Sequence, residues 1–531
     1  MTHAPFTILL ALLTAALLLS IVANKLRMPP AAAYVIGGMA LALTPAKPPF
    51  TIDPEFILTL FLPPLLQSSA YFTVWRDFKA NLRPILMLAI GAVTFTTLVV
   101  GLVVHALLPE LPLAAGFCLG AIVSPPDAVA AKAVLQRLPV PPRLVTILEG
   151  ESLVNDASGL MLYRLAAAAA LTGVFNWSDA AVMFGRLSAG GIAVGLVAGL
   201  LANGAMSRLR DTQLIILASF LISWATYVGA EALHVSGVLA VVTAGLLTGW
   251  AQHAILDAQS RIETQAVWRA AVFIMEAMVF ILIGLALRKV VEGLGGFNAA
   301  TASALLNALI VTAAVIAARF LWVFPATYLP RLLPAVRNYD PCPPVSVPIV
   351  IGWAGMRGVV SLAAALALPT DFPGRDFIVL ATFVVIAVTV LLQGATLGPL
   401  VDWLKPTAAP PGAVAHLDDH EAREKVYQAA FLIIAAEVDA DGKERHPMLL
   451  EDYRRRVTIH QRAQREGDAL IETKRAHFSM ALAAVAGARA ELLRLHRAGD
   501  IHDATLHAIE AELDLEESRL LHLSGEAAPA H

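Results

Sequence analysis

Cysteine and charge are what this chain has least of. Its 531 residues include two cysteines, Cys118 inside an apolar run and Cys342 in a short Pro-rich loop, which argues against a disulfide framework and against redox chemistry. Charged residues make up 15% and hydrophobic residues 58%, with a mean hydropathy of +0.70. A soluble enzyme carries about 25% charge, so that class is excluded. The net charge is only -3, and the basic residues sit in short clusters between apolar runs, which removes nucleic acid as a partner. The first run, Phe6 to Ala23, lacks a basic leader and a small-residue cleavage site, and so reads as a retained helix rather than a signal peptide.

What is present is a succession of apolar runs long enough to cross about 30 Å of hydrocarbon. They lie near residues 6–23, 30–45, 54–72, 84–107, 113–133, 145–172, 187–206, 212–231, 236–251, 267–288, 301–326, 345–368 and 376–400, about thirteen spans. The predicted fold is therefore an all-α polytopic membrane protein. Lys and Arg concentrate in alternate loops, about fourteen against five, which places the N-terminus outside and the C-terminus in the cytoplasm. An odd number of spans agrees. We expect a transmembrane domain over 1–404, a Pro/Ala/Gly linker over 405–415 and a cytoplasmic helical tail over 416–531. Within the tail, 422–438, 469–499 and 501–523 have helical apolar spacing. The tail histidines, His420, His446, His460, His477, His496, His502, His507 and His522, lack metal-ligand spacing.

Residues 118–166 concentrate the polar groups. Asp127 follows a Ser124-Pro125-Pro126 break, and Glu149, Glu151, Asn155 and Asp156 fall in the next run. A carboxylate near a bilayer centre costs roughly 2.5 to 3.5 kcal/mol or more, so such residues usually serve function. On a helix Ser152 and Asp156 share one stripe, and Glu151 and Asn155 share its neighbour. The proline pair frees carbonyls upstream, and oxygen ligands suit a hard cation. A second interruption, with Gly352, Gly355 and Gly358 around Arg357, lies seven spans later, the odd offset that an inverted repeat requires. Arg319, deep in the eleventh run, needs an acidic partner among Glu149, Glu151, Asp127, Asp156 and Glu276, unless it snorkels to an interface. Arg164 is expected to snorkel outward. Glu276 reads equally as a boundary residue or a second buried acid. A purely structural role, pinning helices together, suits Asn155, Glu151 and Arg319 better than Asp156 and Asp127.

The stretches SPPDAVA (124–130), ILEGESLVND (147–156) and GMRGVVSLAAAL (355–366), with LFLPPLLQSSAYF (60–72) and FILIGLAL (280–287) in support, resemble the monovalent cation/proton antiporters, specifically bacterial sodium/proton exchangers of the Asn-Asp type. The resemblance covers nearly all of 1–404. It implies thirteen spans, a six-helix core with two crossing interrupted helices, and a separate panel that forms a homodimer. It implies further that Asp156 carries cation and proton by turns, with Asn155 as companion and Asp127 and Ser152 as further ligands. Glu151 with Arg319 corresponds to the family's ion pair, and Arg357 to the basic residue of the second crossing helix. No cofactor is implied beyond the transported Na+, or K+ or Li+, and H+.

Two positions depart from the family pattern. Pro126-Asp127-Ala128 stands where many relatives have Thr-Asp-Pro, and Gln67-Ser68 where many have a Glu, which leaves the choice between sodium and potassium open. Because Asn155 stands where some relatives have a second Asp, the family link points to one-for-one, electroneutral exchange in a bacterial inner membrane. Other classes are an intramembrane aspartyl protease using Asp127 and Asp156, whose Gly-x-Gly-Asp type of motif is absent, and a channel or sensor on the same scaffold.

Overall fold

The structure is a computed structural model and describes all residues except 1–3, 27, 44–53, 136–137, 139, 174–176, 289, 291–298, 407–418, 438–444, 467–468, 499 and 525–531. The described residues are helical, without strands. In chain order the first unit contains α1 (Ala4–Leu26), α2 (Pro30–Ala42), α3 (Pro54–Tyr71), the short α4 (Trp75–Ala80), α5 (Leu82–Leu107), α6 (Leu113–Val123), α7 (Ala128–Leu135) and α8 (Pro142–Thr172). There follow α9 (Trp177–Met206), α10 (Thr212–Ala232), α11 (Gly237–Ile255), α12 (Ala258–Leu285), α13 (Ala299–Tyr328), the short α14 (Pro334–Tyr339), α15 (Ser346–Trp353), α16 (Val359–Leu366) and α17 (Arg375–Leu404). Eight described helices are long and apolar enough to cross a membrane. Each apolar run read from the sequence falls on a helix or on a pair of half-helices.

Two bundles make up this unit. In one, α5 packs on α6, α6 on α8, α13 on α5, α15 and α17, and α16 on α17. In the other, α2 packs on α12, α3 on α11, and α11 on α9 and α10. Leucines such as Leu17, Leu200, Leu201 and Leu306 stay more than half exposed. An apolar surface on this scale is stable only against lipid.

The crossing of α2 with α12 is closer than side chains allow. A Cβ at Gly284 would lie 2.4 Å from the Val35 carbonyl oxygen, and one at Gly38 would lie 2.3 Å from that of Ile281. Both obstacles are backbone, so neither can swing aside, and small residues are what permit such helix contacts in a membrane.

Two helices stop in mid-course. The α6 ladder ends at Val123 because Pro125 and Pro126 bring no N–H, and α7 resumes at Ala128. The α15 ladder ends at Trp353, and the Gly355 to Gly358 segment runs to the start of α16. A different interruption occurs in α5, whose Met87–Ala92 turn is a π-helix, and in α17, at Thr389–Gln393. In α5 the widened turn presents carbonyls sideways. Met87 accepts Trp322 Nε1 at 2.8 Å and Ala89 accepts Ser158 Oγ at 2.5 Å.

The chain divides into two compact units, Met1–Gly412 and Ala413–His531. Most of the expected linker, 407–415, lies outside the described residues. The second unit contains α18 (Asp419–Ala435), α19 (Pro447–Glu466), α20 (Ala469–Arg497) and α21 (Asp503–Ser524), with α18 on α19 and α20 on α21. Spacing predicts α18, α20 and α21 but not α19. In PMLLEDYRRRVTIHQRAQRE charge outnumbers apolar residues, and the helix is held by buried Leu450 and by Arg454 and Arg456 over the Phe431 and Tyr427 rings of α18, at 5.7 and 5.8 Å.

Gly284→Ala is expected to lower the thermal stability of detergent-purified protein by about 1–3 kcal/mol, the range for overpacking. An unchanged melting curve would mean that α2 and α12 do not cross at this point.

Candidate functional site

The two half-helix breaks meet. The Asp127 backbone N–H donates to the Met356 carbonyl at 2.6 Å, joining the turn after α6 to the turn after α15. A broken helix leaves carbonyls at the C-terminal end of its first half without N–H partners, and each carries a partial negative charge. Arg357, 1% exposed, donates from Nε to Val123 O at 2.9 Å and from Nη2 to Ser124 O at 3.4 Å, and thereby caps α6. It also reaches the Gly355 carbonyl, while its backbone N–H donates to Thr389 Oγ1 at 3.2 Å. Arg319 does the same for α15, donating from Nε and Nη2 to Ile351 O at 3.2 and 3.1 Å.

Arg319 does not snorkel. Its guanidinium is 2% exposed and forms a two-pronged pair with Glu151, Nη1 to Oε1 at 2.6 Å and Nη2 to Oε2 at 2.9 Å. Of the five acids that sequence leaves open as its partner, the structure selects the one on the buried stripe of α8. Arg357 differs, for carbonyls rather than a carboxylate occupy its donors. Arg164 keeps 41% of its side chain exposed and pairs with Glu231, one residue before the end of α10, at 2.8 Å. Nothing in the local sequence around either residue signals that partner.

The two stripes of α8 have different surroundings. Glu151 and Asn155 are buried, at 1% and 0% exposed. Asn155 Nδ2 donates to Pro126 O at 2.7 Å, so it holds the first break at a carbonyl that Arg357 does not reach. Ser152 and Asp156 are partly exposed, as is Asp127. Asp156 lies in electrostatic range of Asp127, and Asn155, its neighbour in sequence, touches the break that Asp127 follows. Gly358 lets the two breaks approach. A Cβ there would stand 1.9 Å from Asp127 Oδ2.

Thr389 and Lys132 are two residues that sequence reasoning did not single out. Thr389 supports Arg357 from the π turn of α17. Lys132 of α7 pairs with Glu149 of α8 at 2.8 Å, and Glu276 of α12 lies in electrostatic range of Asp127 and Lys132. Gln67, at the position of departure from the family pattern, is 2% exposed and donates to Thr248 Oγ1 at 3.4 Å. It therefore ties α3 to α11.

The description "Sodium/hydrogen exchanger, transmembrane" matches residues 9–403. The chain belongs to the sodium/hydrogen exchanger family. It is similar to an uncharacterised Na+/H+ exchanger of Mycobacterium tuberculosis, at 33% identity over 97% of this chain and 96% of the relative. A sodium, potassium, lithium and rubidium/H+ antiporter of Bacillus pumilus is 31% identical over 80% of this chain and 65% of its own length. Among solved structures, the sodium proton antiporter MjNhaP1 of Methanocaldococcus jannaschii matches with a TM-score of 0.59 at 20% identity, over 75% of this chain and 98% of that one. That likeness is one of fold. As a family member the chain is a multi-pass secondary transporter performing cation/proton antiport, and the protease reading falls away.

Removing one partner of the buried pair, by Glu151→Ala or Arg319→Ala, is expected to cost about 3–5 kcal/mol of stability, because the other charge is left buried. The double variant should recover part of the loss. Thermal unfolding in detergent reads this, and strictly additive losses would mean that the two residues do not interact.

Proposed function

We propose that this sodium/hydrogen exchanger is an electroneutral Na+/H+ antiporter in which Asp156 binds cation and proton by turns. The observation that carries the reading is the position of Asp156, on the partly exposed stripe of α8 beside the crossing and in electrostatic range of Asp127. Its neighbours on the buried stripe are committed to fixed partners. A carboxylate that must lose its proton before it can ligate a cation makes the two ions compete for one site. Movement of the bundle that holds the crossing against the other bundle then carries one ion or the other. Asp127 and Ser152 complete the ligand set. Asn155, an amide where a second carboxylate would add a charge, supports one-for-one exchange.

In this reading residues 1–404 transport, with the N-terminus outside and the C-terminus in the cytoplasm of a bacterial inner membrane, and two chains associate through the second bundle. Potassium is the alternative cation, favoured by the B. pumilus relative named for four alkali ions. Proteoliposomes containing a pH-sensitive dye, given sodium, lithium, potassium or choline in turn, separate the two. A response to potassium without one to sodium would overturn the sodium assignment.

Asp156→Asn and Asp156→Ala are expected to abolish cation-driven proton movement while the melting curve stays near that of the parent. Exchange by Asp156→Ala at the parental rate would remove Asp156 from the mechanism.

We also propose that the 416–531 tail modulates transport without taking part in it, since the buried charges of the crossing all precede residue 404. A chain ending near residue 408 should still move protons in response to sodium in everted vesicles, with at most a shifted pH profile. A folded, inserted truncation that is silent at every pH would make the tail part of the transport machinery.

A further inference from the structure

Away from the crossing, the start of α5, the start of α8 and the segment after α13 converge on one acid. Asp340, 6% exposed, accepts Arg331 Nη2 at 2.8 Å, forms an ion pair with Arg143 Nη1 at 2.9 Å and also pairs with Arg83. Arg331 Nε donates in addition to the Asp340 carbonyl at 3.2 Å, and Arg143 Nε to Asn81 Oδ1 at 2.8 Å. Burial would raise the Asp340 carboxyl, but the hydrogen bonds and charges of Arg143 and Arg331 outweigh it and hold the group below the usual carboxylate range. The acid stays ionised, and its single charge answers three guanidinium groups.

The excess is positive and reaches the surface. Arg331 is enclosed, yet the side chains of Arg83 and Arg143 keep 34% and 40% of their surface exposed. Exposed Arg76 and Lys79 on α4 and Arg337 on α14 add to the same end of the bundle, against one further acid, Asp77. These residues lie on the side that charge asymmetry assigns to the cytoplasm.

Apolar side chains stand exposed beside the cations: Trp75 and Leu82 on one flank, Leu329, Leu332 and Leu333 on the other, the last three all at 60% or more. A free inorganic anion would satisfy the guanidinium groups and leave these side chains without a partner. A phospholipid supplies both halves, a phosphate for the cations and acyl chains for the leucines. Tryptophan beside them suits the headgroup level of a bilayer.

We propose that this patch is a binding site for an anionic phospholipid, with its headgroup phosphate on Arg83 and Arg143 and its acyl chains against the Leu329 to Leu333 segment and α4. The lipid neutralises the charge that Asp340 leaves over and fastens three helix ends of the bundle that holds the crossing. The proposal does not depend on which cation is transported.

The test is a titration of the detergent-purified full chain with phosphatidylglycerol, phosphatidylcholine or inorganic phosphate, read as the rise in melting temperature and repeated at high choline chloride. Phosphatidylglycerol alone should give a saturable rise, weakened by salt. Half-saturation should become about fivefold weaker for each basic residue removed in Arg83→Gln with Arg143→Gln, as expected of about 1 kcal/mol per cation near a membrane surface. Should that variant fail to fold, Arg76→Gln with Lys79→Gln, outside the Asp340 network, should weaken half-saturation in the same direction. An equal rise with phosphatidylcholine would overturn the proposal, and so would an equal rise with inorganic phosphate, which would mark a simple anion site. Folded variants that titrate like the parent would overturn it too.

Discussion

Everything at the crossing depends on satisfying backbone carbonyls where water is scarce. Breaking a helix inside a bilayer exposes the last carbonyls of its first half, and each unmet polar group in hydrocarbon costs several kcal/mol. Here the breaks at Pro125-Pro126 and at Gly355 to Gly358 are made tolerable by two arginines and an amide. Arg357 takes the end of α6, Arg319 takes the end of α15, and Asn155 takes Pro126. Positive charge at the C-terminal end of a helix is also favourable to its dipole. The charges that look most expensive in the sequence are therefore the ones that allow the backbone to be irregular.

That arrangement separates two kinds of polar residue on one helix. Glu151 and Asn155 are locked by fixed partners, and a locked group cannot exchange its proton or its ligand freely. Asp156, one residue further round from Asn155, is partly exposed and lies in electrostatic range of Asp127. The exchange proposed at Asp156 needs this division, because the ligating geometry must survive the movement that changes access while the bound ion alternates. Close packing helps. Gly358 permits Asp127 to sit against the second break, and Gly38 and Gly284 bring α2 and α12 together in the other bundle.

The ion pairs that sequence does not reveal share a feature: their partners are far apart in the chain. Arg319 is separated from Glu151 by 168 positions, Arg164 from Glu231 by 67, and Arg83 from Asp340 by 257. No periodicity connects them. The helix α19 is hard to read for another reason, since its apolar positions are outnumbered by charges, two of which, Arg454 and Arg456, lie over rings of α18.

The sequence by itself determined the membrane class, the positions of the apolar runs, the two interruptions and the stripes on α8. Each follows from local chemistry: hydropathy over a bilayer thickness, proline's missing N–H, and the 100° step of a helix. It also pointed to the family through three short motifs. Which acid pairs with Arg319, why Arg357 needs none, and how Asp340 gathers three arginines were decided only in the tertiary structure. A buried charge accepts whichever partner the packing brings within about 3 Å, and packing sums contacts from helices that the sequence places hundreds of residues apart.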